Sequence, residues 1–305
     1  MQKSKSSYRP GLFALMRKNY ISYLFVLPFM SVFFTFTVLP VAMSLFNSFT
    51  RNNILEPSVF VGFANYVRMF TTDTVFQTAL QNTIYLALII GPGGYLLSLG
   101  LAWLINSLPK AMRTIFVVIF YAPATAPAVV TVWGILFSGD EHGYINGFLM
   151  RWGFIQEPIE FLFNTDYMMM VLIITQLWMS MGIGFLSFVA GLRNIDKQYY
   201  EAAAVDGVRN RWQEAWFITL PMMMPQLMFG AIMAITGSFA IGAVTESLFG
   251  FPSTDYAVHT MVNHLTDHFF LRYDIGYASA IATVMFFLMI GCNRGVKWLL
   301  GRVGK

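Results

Sequence analysis

The chain has 305 residues, 57% of them hydrophobic and 11% charged, against roughly a quarter charged in soluble domains, which excludes an ordinary water-soluble globule. Its net charge of +4 is spread over several separate segments, a pattern that membrane topology explains without a nucleic-acid partner. Cys292 is the single cysteine, so an internal disulfide is excluded too.

Residues 1–20 form a basic segment with Lys3, Lys5, Arg9, Arg17 and Lys18. From Gly11 to Tyr20 the apolar Leu12, Phe13, Leu15 and Met16 precede Arg17 and Lys18, which suits a short helix lying in the membrane interface. A frayed tail fits the same residues. Ile21 to Phe46 is the first of six apolar stretches that reach the length of about 20 residues needed to cross the hydrocarbon core. It exceeds the roughly 7 to 15 apolar residues of a signal peptide and lacks a small-residue cleavage site, so a retained span is expected.

Thr83 to Ile105 and Thr114 to Phe137 are the second and third predicted spans, and Met168 to Leu192 is the fourth. Met222 to Thr245 and Ile275 to Gly291 complete the set. In the third, Pro123 and Pro127 each remove a backbone donor and predict a kink, read as fixed shape rather than a gate. Asp140 to Asp166 is an acidic loop whose Trp152, Phe154 and Phe161 suit the headgroup zone.

Lys and Arg accumulate on the cytoplasmic side. With the N-terminus inside, only Arg51, Arg68, Arg151 and Arg272 of the 19 Lys and Arg residues fall outside, so both termini are predicted to be cytosolic. The expected architecture is all-α and polytopic. A cytosolic segment covers 1–20, a six-helix transmembrane domain covers 21–300 and includes a cytosolic loop over 193–220, and a short cytosolic tail covers 301–305.

That loop carries the densest pattern. Asp196 suits the N-cap of a helix over 197–205, and Gly207 suits the left-handed position that closes a helix. Asn210, with Gln213 three residues on, forms a loose capping box for a second short helix. Pro221 fits the start of the fifth span, where a missing amide donor costs little. Two short helices with a glycine turn make a projecting knob. Its small Ala202 and Ala203 permit close insertion in a cleft, Glu201 offers an acceptor, and Tyr199 and Tyr200 add amphipathic contact area.

Polar groups inside spans usually face the bundle or a watery cavity. Gln176, Ser180 and Gly184 recur every four residues in the fourth span, and Ser238, Gly242, Thr245 and Glu246 share a face of the fifth. His264 and His268 lie one helical turn apart, as two zinc ligands do. His259 and Asp267 are the only further ligand types close by, and the glutamate of the metalloprotease motif is missing. No metal, cofactor or catalytic residue is therefore expected. There is also no Gly-x-x-x-x-Gly-Lys-Ser/Thr loop to bind nucleotide.

Several of these segments resemble permease subunits of ABC importers of the maltose/oligosaccharide (carbohydrate uptake) type. Glu201, Ala202, Ala203, Asp206, Gly207, Ile218, Leu220 and Pro221 resemble the EAA loop of that family, with ten residues instead of nine between Gly207 and Ile218. Val61 to Tyr66 and Ala79 to Thr83 resemble the segment leading into the second span of sugar-type permeases. Trp178 to Gly182, Ala190 to Leu192 and Gly276 to Ala280 also match, so the likeness runs from residue 61 to 291.

The resemblance implies a type I ABC importer permease core in a bacterial cytoplasmic membrane. It implies that Tyr199, Tyr200, Glu201, Ala202, Ala203, Asp206 and Gly207 dock on a cytosolic ABC ATPase dimer, which performs the hydrolysis. It further implies a second permease subunit and an extracellular or periplasmic solute-binding protein, for which the 140–166 loop is a candidate docking surface. In such permeases the sugar site lies along the helices flanking the knob, which nominates Gln176, Ser180 and Ser238 as path residues and Trp178 as a sugar-stacking surface. Ordinary helix packing would use the same small and hydroxyl residues. The expected solute is a sugar or oligosaccharide moved by alternating access, with a polyol phosphate as the alternative. An ion-coupled secondary transporter would carry charged or unwound helices at mid-membrane and inverted repeats. Of these the sequence offers only Gly91-Pro92-Gly93-Gly94 as a candidate break.

Overall fold

The computed structural model describes residues 19–303, so the interfacial helix expected over 11–20 lies almost wholly outside it. Helix α1 (Tyr20–Asn47) is continuous through a π turn at Phe34–Val38. None of its most apolar stretch is buried within the chain; Phe25 and Phe36 are 81% and 76% exposed. A bare apolar helix of this length needs lipid or another subunit around it.

A small antiparallel ribbon follows, strand β1 (Thr50–Arg51) with β2 (Val59–Phe60), then helix α2 (Ala64–Thr71). It is a minor departure from the all-α expectation. The Asn65-Tyr66 pair, which ends the Val61 to Tyr66 segment, fixes the ribbon. Asn65 Nδ2 donates to the Ser48 and Thr50 carbonyls at 2.9 Å each, and the Tyr66 hydroxyl donates to Ser48 Oγ at 2.8 Å.

Helix α3 (Thr74–Asn106) starts well before the expected Thr83, because its first two turns are helical but too polar to register as a span. It runs unbroken through Gly91–Gly94, so the break considered there does not exist. At 1.5 Å per residue it is about 50 Å long and forms the central beam. Asn82 Nδ2 donates to the carbonyls of Tyr256, Ala257 and His259 at 3.0–3.2 Å, and Thr83 Oγ1 accepts from the Met261 amide at 2.9 Å. These two side chains tie the beam to the loop before the last span.

The third span is broken: α4 (Lys110–Thr125) ends at a short 3-10 turn, Pro127–Val129, and α5 (Val130–Leu136) continues. The kink predicted from the two prolines is thus a full interruption. In the next loop, α6 (Tyr144–Arg151) leaves Trp152 and Phe154 exposed, as expected of headgroup aromatics. Phe161 corrects that expectation: it is 4% exposed and packs on Phe137 and Tyr167 in the core.

The fourth span is α7 (Thr165–Met179) and α8 (Ile183–Arg193), bent by 40°. Two short helices follow, α9 (Lys197–Val205) and α10 (Arg211–Met222). An 81° bend separates α10 from α11 (Met224–Phe239), which carries the body of the fifth span, and α12 (Gly242–Phe249) follows a two-residue break. Pro221 therefore lies in the last turn of α10, and Pro225 occupies the first turn of the span in its place. Helix α13 (Met261–Thr266) and α14 (Ile275–Val303) complete the chain. The last span outruns the expected Gly291 because Arg294 and Lys297 end the apolar count but not the helix. Three helices, α1, α3 and α14, are long and apolar enough to cross a membrane alone, and three bent pairs bring the number to as many as six.

Candidate functional site: a capped knob beneath a central cavity

The knob forms as its residues dictate. Asp196 Oδ1 accepts from the Gln198 amide at 3.1 Å and caps α9. At the other end Gly207 adopts φ +96°, the Val208 amide donates to the Ala203 carbonyl at 3.0 Å, and the Gly207 amide donates to Ala204 at 3.3 Å. This pair of bonds is a Schellman closure, which satisfies carbonyls that the helix end would otherwise leave bare. Asn210 Oδ1 caps α10 by accepting from the Gln213 amide at 2.8 Å. Gln213 Oε1 reaches back to the Arg209 amide at 2.9 Å, one residue earlier than a capping box requires.

Glu201, Ala202, Asp206 and Gly207 are exposed, Ala203 is half-buried, and Tyr199 points outward at 54% exposure. Tyr200 turns the other way. Its hydroxyl lies 2.9 Å from Thr219 Oγ1 and braces α9 against α10. Trp212 packs on Trp103 at 5.1 Å between centroids, joining α10 to the end of α3. Thr219 and Trp103 were not singled out from the sequence, since an isolated Thr or Trp near a span end carries no spacing signal.

Within α10, Ala215–Thr219 forms a π turn. An i→i+5 turn takes up one residue more than an α-turn. The turn contains Ile218, the residue at which the spacing from Gly207 is one longer than the family pattern.

Above the knob, a cavity of about 300 Å³ lies among α3, α4, α7, α8 and α11. Gln176, Ser180 and Ser238 all line it, so the structure brings these three sequence candidates together. The Ser180 and Ser238 hydroxyls donate to the Leu177 and Ile235 carbonyls at 2.6 and 2.8 Å, which leaves their oxygens able to accept. Gln176 is 9% exposed, and its side-chain amide has no hydrogen bond to the described residues. Trp178 does not join them. Two residues from Gln176 it lies about 200° round the helix, where it packs edge-on against Trp133 at 5.5 Å, outside the cavity lining.

Sequence reasoning missed the contribution of α3. Gly94 lines the cavity because a Cβ there would stand 2.7 Å from Ser180. Its Gly-Pro-Gly-Gly run, a candidate break on sequence, is a surface of close approach. The real interruptions fall at 126–129, at 180–182 and after Phe239, and Ala124, Gly182 and Ser238 beside them all line the cavity. The breaks thus fall at places other than the Gly91–Gly94 run that the sequence offered. Such irregular backbone is tolerated in a membrane where it is buried or lines a cavity. Among the described residues, none that lines the cavity is Asp, Glu, Lys, Arg or His.

A bundle of whole and broken spans, with a cavity among the breaks and a rigid two-helix projection at one end, defines a polytopic membrane transport protein. The chain belongs to the family of binding-protein-dependent transport system inner membrane components, which matches residues 94–305. Among its relatives, the probable ABC transporter permease protein YesP of Bacillus subtilis is 32% identical over 93% of this chain and 89% of its own length. The arabinooligosaccharides transport system permease protein AraP of the same organism is 30% identical over 90% and 86%. The sulfoquinovosyl glycerol transport system permease protein SmoG of Agrobacterium fabrum is 32% identical over 82% and 80%. The fold matches a chain of a bacterial ABC transporter crystal structure involved in import of the acidic polysaccharide alginate, at a TM-score of 0.76 and 24% identity over 96% of this chain and 99% of that one.

Proposed function

We propose that this permease moves a neutral sugar or oligosaccharide into a bacterial cell by alternating access, and that separate ATPase subunits drive it through the knob. One observation carries the reading. The exposed Glu201–Gly207 surface belongs to a unit capped at both ends, and its chain continues through α8 and α11 into the helices that line the Gln176–Ser180–Ser238 cavity. A partner that closes on the knob would thus pull on the cavity walls.

Among the described residues no cation lines the cavity, which favours an uncharged polyhydroxy solute over a polyol phosphate, whose charge would be left unpaired by this chain. The absence of carboxylates and histidines there argues against proton coupling. The basic segments support a knob, N-terminus and C-terminus on the cytosolic side. The bare α1 supports a second permease, and the family supports an external binding protein.

The test is reconstitution with the partner permease, ATPase and binding protein. Glu201→Lys is expected to abolish ATP-driven uptake while the chain still folds and inserts. Uptake at the wild-type rate by that variant, or uptake driven by an ion gradient without ATP, would overturn the proposal.

A further inference from the structure

At the end of the bundle opposite the knob, α3, α13 and α14 meet on a cluster of ionisable side chains that the transport reading leaves unused. Asp73 Oδ1 caps α3 by accepting from the Phe76 amide at 2.8 Å. Its Oδ2 accepts from the Tyr277 hydroxyl at 2.7 Å and lies 3.0 Å from His264 Nε2. The His264 and His268 rings are 4.7 Å apart between centroids, and each residue is 1% exposed. One ligand atom from each of Asp73, His264 and His268 falls within 4.8 Å of the others.

As a hydrogen-bonded cluster this arrangement is poorly satisfied. His264 Nδ1 and both ring nitrogens of His268 are buried without a partner. The 3.8 Å from His268 Nδ1 to Asp274 Oδ2 is too long for a hydrogen bond. Every imidazole carries a donor or an acceptor at each nitrogen, so three of four are left unpaired. Native proteins rarely leave such groups bare, and a bound ion would take up one nitrogen of each ring.

Charge points the same way. Arg68 pairs with Asp274 at 2.9 Å and Arg272 with Asp267 at 2.7 Å, so the nearby guanidinium groups have their own carboxylates. Asp73 is left facing imidazole and phenol. Asp73 is a carboxylate ligand already oriented by the Tyr277 hydroxyl and the Phe76 amide. A cavity of about 180 Å³, lined by Asp73, His264, Arg68 and Arg272 among others, gives access from the surface.

We propose that Asp73, His264 and His268 bind a divalent cation of the zinc class, with water in the fourth position. Two imidazoles and one carboxylate suit Zn²⁺ or Co²⁺, whereas Mg²⁺ and Ca²⁺ prefer oxygen ligands alone. Around a tetrahedral zinc with bonds of about 2.0–2.2 Å, ligand atoms stand roughly 3.3–3.6 Å apart. From a spacing of up to 4.8 Å, the ligand atoms need to close by about 1.2–1.5 Å at most to reach it. Tyr277 would then act as the outer donor that orients Asp73. The site escapes a sequence search because its carboxylate lies 191 residues before His264.

The experiment uses the full-length chain in its assembled transporter, free of any affinity tag, stripped with a chelator and titrated with Co²⁺. One equivalent per chain, with the visible d–d absorption of four-coordinate cobalt that Zn²⁺ bleaches and excess Mg²⁺ or Ca²⁺ leaves intact, is the expected result. His264→Gln and His268→Gln should each weaken binding at least tenfold, while His142→Gln, at an exposed histidine, should leave it unchanged. Asp73→Asn keeps the helix cap and is expected to weaken binding at least tenfold in a folded protein, should the histidine variants fail to assemble. A wild-type chain that shows no stoichiometric cobalt spectrum, or an Asp73→Asn or His268→Gln chain that binds as tightly as wild type, overturns the proposal.

Discussion

Gly207 offers a test of the knob in which sterics and backbone cost separate cleanly. It adopts φ +96°, and nothing lies within 4 Å of the place a Cβ would take. A side chain there meets no neighbour, so its whole effect is the cost of holding an L-residue in left-handed backbone, about 1–2 kcal/mol for alanine. Asn tolerates that region better, and a β-branched residue worse. One to two kcal/mol changes an equilibrium by a factor of about 5–30. The Schellman-closed knob should lose that much population against opened forms in Gly207→Ala. ATP-driven uptake by the reconstituted transporter should then rank wild type above Gly207→Asn, followed by Ala and then Val, with insertion of the chain unchanged. Asparagine is larger than alanine, so a steric account inverts the middle of this order. Alanine outperforming asparagine, or all four transporting alike, would refute the reasoning.

Gln176→Ala and Ser238→Ala each remove one hydrogen bond to a solute in the cavity, about 0.5–1.5 kcal/mol, and should raise the half-saturating solute concentration of solute-stimulated ATPase by roughly 2–10-fold. Trp178→Ala should leave that concentration unchanged and lower thermal stability instead, because its ring packs on Trp133 outside the cavity. Tyr200→Phe deletes the 2.9 Å contact with Thr219, and at about 1 kcal/mol it should lower solute moved per ATP hydrolysed, measured in proteoliposomes. Asn82→Ala strands the three carbonyls of Tyr256, Ala257 and His259. A destabilisation of about 1–3 kcal/mol is expected, read as a lowered Tm of the purified chain.

Local chemistry was the legible part of this protein. Asp196, Gly207 and Asn210 announce helix ends because capping depends on residues within three positions of one another, and α9 begins and ends where those residues predict. Apolar length announced the spans for the same reason, yet it misjudged their ends wherever the helix continues into polar residues, as over 74–82 and beyond Gly291. Phe161 and Trp178 mark where local sequence stops being decisive. One is a loop aromatic and the other lies mid-span, and only the neighbours Phe137 and Trp133, brought in by the fold, decide that they are packing residues. The Asp73–His264–His268 cluster was illegible for a related reason, since ligand spacing was sought within one segment while the third ligand arrives on α3.

The arrangement of whole and broken helices gives the cavity and the knob a common logic. Helix α3 crosses the bundle without interruption, and Gly91 and Gly94 let the Ser238 and Ser180 regions approach it at van der Waals distance. The three spans that meet the beam there are each interrupted close to the contact, so their half-helices can be re-angled without breaking a continuous hydrogen-bond ladder. Below the cavity, α8 leads into α9 and α10 turns by 81° into α11, so the knob is spliced between two of those half-helices. Under the proposed coupling, a displacement of the knob would act on α8 and α11 relative to α3, whose far end is held by the bonds of Asn82, Thr83 and Asp73. The Gly184 backbone lies against Gly230 where α8 crosses α11, with Cα of Gly230 3.5 Å from where a Gly184 Cβ would stand. This close crossing lets the two half-helices move as one packed pair, which is the motion a knob inserted between them would drive.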